Sequence, residues 1–130
     1  MMETQDDPLQ SLILDDQDLA RDELAVALLP YVRFTKQGQI VLEKAFDDLS
    51  TRRKVCCILL AYRVLHMLGL RDSAGVRSSD METETGMPGG TVRPKLSELK
   101  KERIADQDDK NWTIPTHALR RAVEVVGGGS

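Results

Sequence analysis

The sequence of 130 residues predicts a mainly α fold with two small β-hairpins, an α+β class, from three observations. A wide apolar face repeats at helical spacing from Thr51 to Leu68. Two short helical stretches flank the glycine-rich turn at 86–90. Polarity alternates, as it does along strands, on both sides of 36–38 and of 108–110. We therefore expect helices to form the core and the hairpins to lie at its edges.

The chain is expected to divide into two structured parts with a tail at each end. The first tail is polar and the last is glycine-rich, which predicts disorder and flexibility respectively. The expected divisions are a disordered tail at 1–8, an extension with a helix and a hairpin at 9–50, the main domain at 51–126 and a flexible tail at 127–130.

The extension begins with helical signals. A proline near its start favours a short helix through Leu14, although 11–14 could equally be an extended segment. Acidic caps at 15–18 predict a second helix to about Leu29, and Pro30 ends it because proline restricts the residue before it.

A hairpin follows this helix. Its strands are predicted at 32–35 and 39–42, with Gly38 in the left-handed conformation of a tight turn. We expect this extra hairpin to pack against the main domain or against a second subunit. Residues 43–49 form either a short helix or the lead-in to a longer one.

A long helix is predicted from a cap at Ser50 or Thr51 to the glycine at Gly69. It is apolar on nearly all sides, which is typical of a helix at the centre of a core or at a dimer interface, so a homodimer is expected. Cys56 and Cys57 lie on this helix. Adjacent cysteines cannot easily bridge each other, so we expect two buried thiols in a reducing compartment.

The first of the two short helices is expected to have a serine N-cap and a glycine C-cap. Either Ser78 or Ser79 can cap it, because a hydroxyl oxygen accepts from a free backbone N–H in the first turn. Gly86 ends it, because glycine enters the left-handed conformation at low cost.

The second short helix is expected to begin at Gly90 or Thr91 and to end at Lys101. Pro94 would then fall in its first turn, where a missing N–H loses no helical bond. Its apolar stripe recurs at i, i+4 and i+7. The stripe consists of Val92, Leu96 and Leu99.

A second hairpin and a last helix complete the main domain. The strands are predicted at 103–106 and 111–114, around the turn 108–110. Pro115 then breaks the strand, and Thr116 is expected to cap a helix that runs to the C-terminal glycines.

The turn between the two short helices has the sequence Thr85-Gly86-Met87-Pro88-Gly89-Gly90-Thr91-Val92-Arg93, followed by Leu96 and Leu99. This pattern resembles the turn and recognition helix of winged helix-turn-helix proteins, broadly the MarR-like or ArsR-like transcription regulators. The resemblance covers about 51–126, which would be the winged-helix domain, with the second hairpin as its wing. It implies sequence-specific binding of double-stranded DNA, with the helix at about 91–101 in the major groove, and transcription regulation.

Charge is distributed unevenly along the chain. Residues 1–50 carry 4 basic and 11 acidic side chains, a balance of −7, and 51–130 carry 14 basic and 10 acidic, a balance of +4. The second part could therefore approach phosphate, which the first would repel.

The candidate DNA contacts lie on the second short helix and near its ends. Arginine can bond guanine N7 and O6 together, whereas lysine and hydroxyl groups hold phosphate. Backbone N–H groups at Gly90 and Thr91 offer a second anion site. Alternatively, Arg93 and Lys95 simply solvate an exposed helix. The candidates are Thr91, Arg93, Lys95 and Ser97 on the helix, and Arg77, Lys100, Lys101, Arg103, Arg120 and Arg121 for further phosphate contacts.

The second hairpin departs from the resemblance. Asp106, Asp108 and Asp109 outnumber Lys110 there, and phosphate would repel them. Either this wing stays clear of DNA, or the domain is a protein–protein interaction module in a transcription or replication assembly.

Catalytic and metal-binding motifs are missing from the sequence. The glycines near Gly86 lack the Lys-Ser/Thr pair of a phosphate-binding loop, and His66 and His117 are expected to pack or cap rather than to ligate. We therefore expect no enzyme, metal or cofactor. No charged leader opens the chain, and no apolar run approaches the ~20 residues that cross a bilayer, so a soluble, cytoplasmic protein is expected.

Overall fold

The computed structural model describes residues 8–12 and 21–128, and these residues form five α-helices and two antiparallel hairpins. The fold is mainly helical, with 59% helix, so the predicted α+β class is confirmed. The elements are α1 (Arg21–Leu28), β1 (Val32–Phe34), β2 (Ile40–Leu42), α2 (Thr51–Met67), α3 (Ser78–Thr85), α4 (Gly89–Lys101), β3 (Asp106–Asp108), β4 (Asn111–Thr113) and α5 (Leu119–Val126).

The start of the extension is described only in part. Pro8–Leu12 forms a 3₁₀ helix, in agreement with the expected short helix at this point. The rest of that helix and the caps expected at 15–18 lie outside the described residues. The second predicted helix is present as α1 and ends at Leu28. Most of the two predicted tails also falls outside the described part of the chain.

The first hairpin packs against the main domain, which was one of the two arrangements expected from the sequence. Val32 pairs with Leu42, and Phe34 pairs with Ile40. Gly38 has φ +85°, and a Cβ at this position would lie 2.9 Å from the backbone oxygen of Leu70. Glycine is therefore required both by the turn and by its close approach to the chain after α2.

Helix α2 is the centre of the core. The Ser50 hydroxyl accepts from the Arg53 N–H, and Gly69, with φ +76°, follows the helix end, so both predicted boundaries are confirmed. Helices α1, α4 and α5 and strand β4 pack around α2 and bury it on nearly all sides. Its apolar surface is thus covered within one chain except at its C-terminal end, where Leu68 is 49% exposed. The homodimer stays a prediction.

The two cysteines of α2 are buried, as predicted. Burial raises the pKa of both Cys56 and Cys57 to about 12. The Cys56 thiol lies 3.5 Å from the backbone oxygen of Ala122 in α5. Both thiols are therefore neutral packing groups, and Cys56 lies at the α2–α5 contact.

The serine cap predicted for α3 is wrong. Arg77 occupies the N-cap position, and its carbonyl oxygen accepts from Asp80 and Met81, so Ser78 is already the first helical residue. The reason is tertiary: Val76 pairs with Trp112 of β4, which places the next residue at the helix entrance. The C-terminal prediction is confirmed, because Gly86 has φ +75° and caps the helix.

Helix α4 begins earlier than predicted, at Gly89. The carbonyl oxygen of Pro88 accepts from the N–H groups of Thr91 and Val92 and so starts the helix. Pro94 consequently lies in the second turn and not in the first, and it removes the N–H donor that would bond the Gly90 carbonyl. Gly90 is exposed, so water can satisfy this oxygen.

The first strand of the second hairpin was predicted at 103–106, which is wrong, because β3 begins at Asp106. Arg103 has φ +63°, and Ile104 and Ala105 both donate to the carbonyl oxygen of Leu99. These residues therefore close the end of α4 and do not enter a strand.

Helix α5 begins after a 3₁₀ turn at Thr116–Ala118. The cap predicted at Thr116 is wrong, because its hydroxyl oxygen accepts instead from Arg63 Nη2 at 3.0 Å. His66 and His117 are exposed and are not core residues, and His66 Nδ1 lies 3.1 Å from the Arg71 carbonyl oxygen.

Candidate nucleic-acid interface

Helix α4 has one buried face and one exposed face. Val92, Leu96 and Leu99 are fully buried, as predicted, and hold the helix against α2 and α3. The opposite side of the helix is exposed along its whole length. We call this side the outer face of α4, and its residues are Gly90, Arg93, Pro94, Ser97, Lys100 and Lys101.

The four helix residues predicted to contact DNA do not share one face. Residues two positions apart are separated by about 160° around a helix axis, so alternate residues cannot point the same way. Arg93 and Ser97 lie on the outer face. Thr91 and Lys95 lie together on a half-buried flank. Of the four predicted residues, only Arg93 and Ser97 share the outer face with Lys100 and Lys101.

Arg93 extends back across the turn towards α3. Its Nη1 lies 3.5 Å from Glu82 Oε2, and its side chain is 64% exposed. Gly89 makes room for this ion pair, because a Cβ there would lie 2.5 Å from Arg93 Nη1 and 2.8 Å from Glu82 Oε2. The candidate base-reading side chain therefore has a carboxylate partner in the absence of DNA.

Lys95 also has a carboxylate partner. Its Nζ lies 3.1 Å from Glu98 Oε2 on the next turn of α4. The pair occupies the flank and points away from the outer face. Lys95 accordingly lies apart from Arg93 and Ser97.

Lys100 links the outer face to the second hairpin. Its Nζ lies 3.3 Å from Gln107 Oε1 and 5.9 Å from the centre of the Trp112 ring. Lys101 is exposed at the last position of α4. The C-terminal end of the helix therefore combines one lysine resting on the hairpin with one directed to solvent.

The other candidate cations are distributed around the domain. Arg77 is exposed at the start of α3, and Arg103 is exposed just after α4. Arg121 Nη1 donates to the Glu102 carbonyl oxygen at 2.7 Å, and Arg120 Nε lies 3.6 Å from Glu23. The two α5 arginines thus hold neighbouring elements together and are not gathered with the outer face.

The backbone donors at the helix end are shifted by one residue from those predicted. The Thr91 N–H is used by the Pro88 carbonyl, so the initial N–H groups left at the start of α4 are those of Gly89 and Gly90. The space beside Gly90 is open to a phosphate, whereas Glu82 and Arg93 lie beside Gly89. This is the positive end of the helix dipole, where an anion is favoured.

Sequence reasoning missed three features of this site. Gly90 and Pro94 belong to the outer face, and a strict helical period starting from Val92 would have identified both. The position of Glu82 beside Arg93 depends on the geometry of the turn, and no spacing in the sequence indicates it. The acids of the second hairpin are exposed, as the sequence suggested.

The described residues contain no group of three or more His, Cys, Asp or Glu side chains arranged to hold a metal ion. Over 8–12 and 21–128, no helix combines the length and apolarity needed to cross a membrane. The expectations of no enzyme, metal or cofactor stay predictions. Comparisons of the chain with protein-family models, with curated proteins and with solved structures gave no match.

Proposed function

We propose that this chain binds double-stranded DNA sequence-specifically as a winged helix-turn-helix protein and acts as a transcription regulator. The outer face of α4 is the observation that carries the proposal. It presents one arginine, one hydroxyl and two lysines to solvent, while the opposite stripe is sealed in the core. An α-helix so held can enter a major groove as a rigid unit.

The order of elements supports the same function. Helix α3, the Gly86 turn, α4 and the second hairpin follow one another as the winged-helix resemblance implies. Within that order, Arg93 reads a guanine edge, and Ser97 contacts a base or a phosphate. Lys100, Lys101 and the N–H groups of Gly89 and Gly90 bind phosphates and set the register of the helix on the duplex.

Binding requires an exchange of partners at Arg93. The guanidinium leaves Glu82 and takes up two acceptors on a guanine. Because the ion pair is largely exposed, its loss costs little, and a well-placed guanine compensates for it. At a mismatched base the guanidinium stays with Glu82, so the ion pair is exchanged only at a guanine.

The acidic second hairpin favours a second candidate function, a protein–protein interaction module in a transcription or replication assembly. Asp106, Asp108 and Asp109 are all exposed on β3 and its turn. Such a surface suits a basic protein partner better than it suits a phosphate backbone.

The deciding experiment is selection from a pool of random duplexes at two salt concentrations. We expect one enriched sequence and an affinity that falls with log salt at a slope of about −3 per bound chain. Lys101→Ala should weaken binding to all sequences alike and reduce the slope by about 1, whereas Lys36→Ala, a matched exposed lysine on the first hairpin, should change neither. No enrichment, with a protein partner recovered in a pull-down, would favour the second candidate.

A further inference from the structure

An apolar groove of about 420 Å³ lies between α1, β1 and the C-terminal end of α2. Leu24, Leu28 and Val32 are buried beneath it, whereas Leu29 and Leu68 remain 58% and 49% exposed on its lip. A connected apolar depression of this kind is unfavourable in water and commonly marks a contact site.

The 3₁₀ helix Pro8–Leu12 carries the complementary feature. Leu9 and Leu12 are 67% and 76% exposed, and their spacing of three places them on the same side of a 3₁₀ helix. Six large apolar side chains are exposed among the described residues, and four of them belong either to this short helix or to the lip of the groove. The apolar surface of the molecule is thus concentrated in two matching places.

Charge also matches the two places. Residues 1–20 carry six acidic side chains and no lysine or arginine, the acids being Glu3, Asp6, Asp7, Asp15, Asp16 and Asp18. The rim of the groove carries Arg21 and Arg33 beside Asp22, a net positive charge. Acidic residues that flank the two leucines would meet this rim when the leucines enter the groove.

We propose that Leu9 and Leu12 of one chain dock into the groove of a second copy, which returns the same contact and forms a twofold-symmetric homodimer. A second copy is the occupant because, within one chain, both leucines stand exposed while the groove is open. The eight residues 13–20 separate the two features along the chain. This dimer does not depend on DNA binding.

The test is the oligomeric state of the full chain as a function of concentration, measured by analytical ultracentrifugation. We expect a dimer at micromolar concentration. The arm variant, Leu9→Asp with Leu12→Asp, and the groove variant Leu68→Asp should each raise the dimer dissociation constant at least about tenfold per leucine changed. Val26→Asp is the matched control, because Val26 is 73% exposed on α1 but does not line the groove.

Mixing the two variants provides a second measurement. The intact arm of the groove variant fits the intact groove of the arm variant, so a heterodimer with one of the two contacts should form and be weaker than the wild-type dimer. Circular dichroism checks that each variant is folded, and the arm variant alone decides the result if Leu68→Asp unfolds. A monomeric wild type, including one whose arm closes on its own groove, overturns the proposal, as does a dimer insensitive to both variants.

Discussion

Arg93 Nη1 lies 3.5 Å from Glu82 Oε2, so the candidate base-reading side chain is joined to the preceding helix by a partly exposed ion pair. Glu82 is 30% exposed and therefore faces the same solvent that a DNA duplex would displace. Its charge both retains the guanidinium and repels phosphate.

Glu82→Gln should accordingly strengthen binding to every duplex, by about 0.5–1 kcal/mol, because it removes the repulsion and releases Arg93. The free energy of unfolding should change by less than about 0.5 kcal/mol. Fluorescence anisotropy with labelled duplexes measures the affinity. Glu124→Gln on α5 is the control, since it changes the net charge equally at an exposed position outside α3 and α4. Weaker or unchanged binding in Glu82→Gln would contradict the inhibitory role.

Arg93→Ala should cost about 1–3 kcal/mol of binding to the preferred sequence and should relax the base preference at one position. Lys95→Ala is its matched control on the same helix, because Lys95 lies on the flank with Glu98. We expect that variant to keep the sequence preference and to lose little affinity. Selection from random duplexes with both variants makes the comparison, and equal losses would show that the outer face has been assigned incorrectly.

Arg52 and Glu102 join the start of α2 to the end of α4 through two bonds of 2.5 and 2.7 Å. Hydrogen bonding to Arg52 lowers the pKa of Glu102 below its ordinary value of 4.5, despite some desolvation, and the charges of Arg52 and Arg121 add to the effect. A carboxyl group whose pKa falls on folding stabilises the fold above its unfolded pKa and loses that contribution as pH falls through its folded pKa.

Glu102→Gln should therefore lower the free energy of unfolding by about 0.5–1 kcal/mol at pH 7, a small value because the carboxylate is partly exposed. The difference from wild type should shrink as pH falls through the lowered pKa of Glu102, because the native carboxyl group then becomes protonated as well. Urea unfolding, monitored by Trp112 fluorescence at several pH values, measures this difference in the free energy of unfolding. A difference that persists at low pH would mean that packing, not charge, is responsible.

The buried thiols predict a loss of stability in alkali. The pKa of Cys56 and of Cys57 is about 12 in the folded chain against an ordinary value of 9.0, and desolvation, followed by Glu84, raises that of Tyr62 from 10.0 to about 12. Groups whose pKa rises on folding contribute fully below the unfolded pKa and lose their contribution as pH rises towards the folded pKa.

The free energy of unfolding should thus fall steadily from about pH 9 to pH 12. At pH 8 both thiols should resist a thiol-specific reagent in the native protein and react at once in denaturant, because only the exposed thiolate is nucleophilic. Rapid labelling of either cysteine in the native state would contradict the burial of that thiol.

Features set by neighbouring residues could be predicted from the sequence. The cap at Ser50, the left-handed glycines at Gly38 and Gly86, and the buried stripe of α4 each depend on local conformation or on a short period. Helix and strand starts depended on distant partners. Arg77 caps α3 because Val76 is paired with β4, a relation that local propensity does not contain.

The candidate site also contains both kinds of feature, those set by local sequence and those set by distant residues. Helical periodicity alone separates Arg93 and Ser97 from Thr91 and Lys95, so this part of the site was available from the sequence. The contact between Arg93 and Glu82 was not, because the turn geometry and the missing side chain of Gly89 bring the two groups together.

Val76 and Trp112 exchange both backbone hydrogen bonds, at 2.9 and 2.7 Å. Residues 77–111, which include α3, α4 and β3, therefore form a chain segment whose two ends are joined by this backbone pair. Opening this pair would break both hydrogen bonds and free the start of α3. The amide protons of Val76 and Trp112 would then exchange with solvent at one common rate, while Val92, Leu96 and Leu99 still hold α4 against the core.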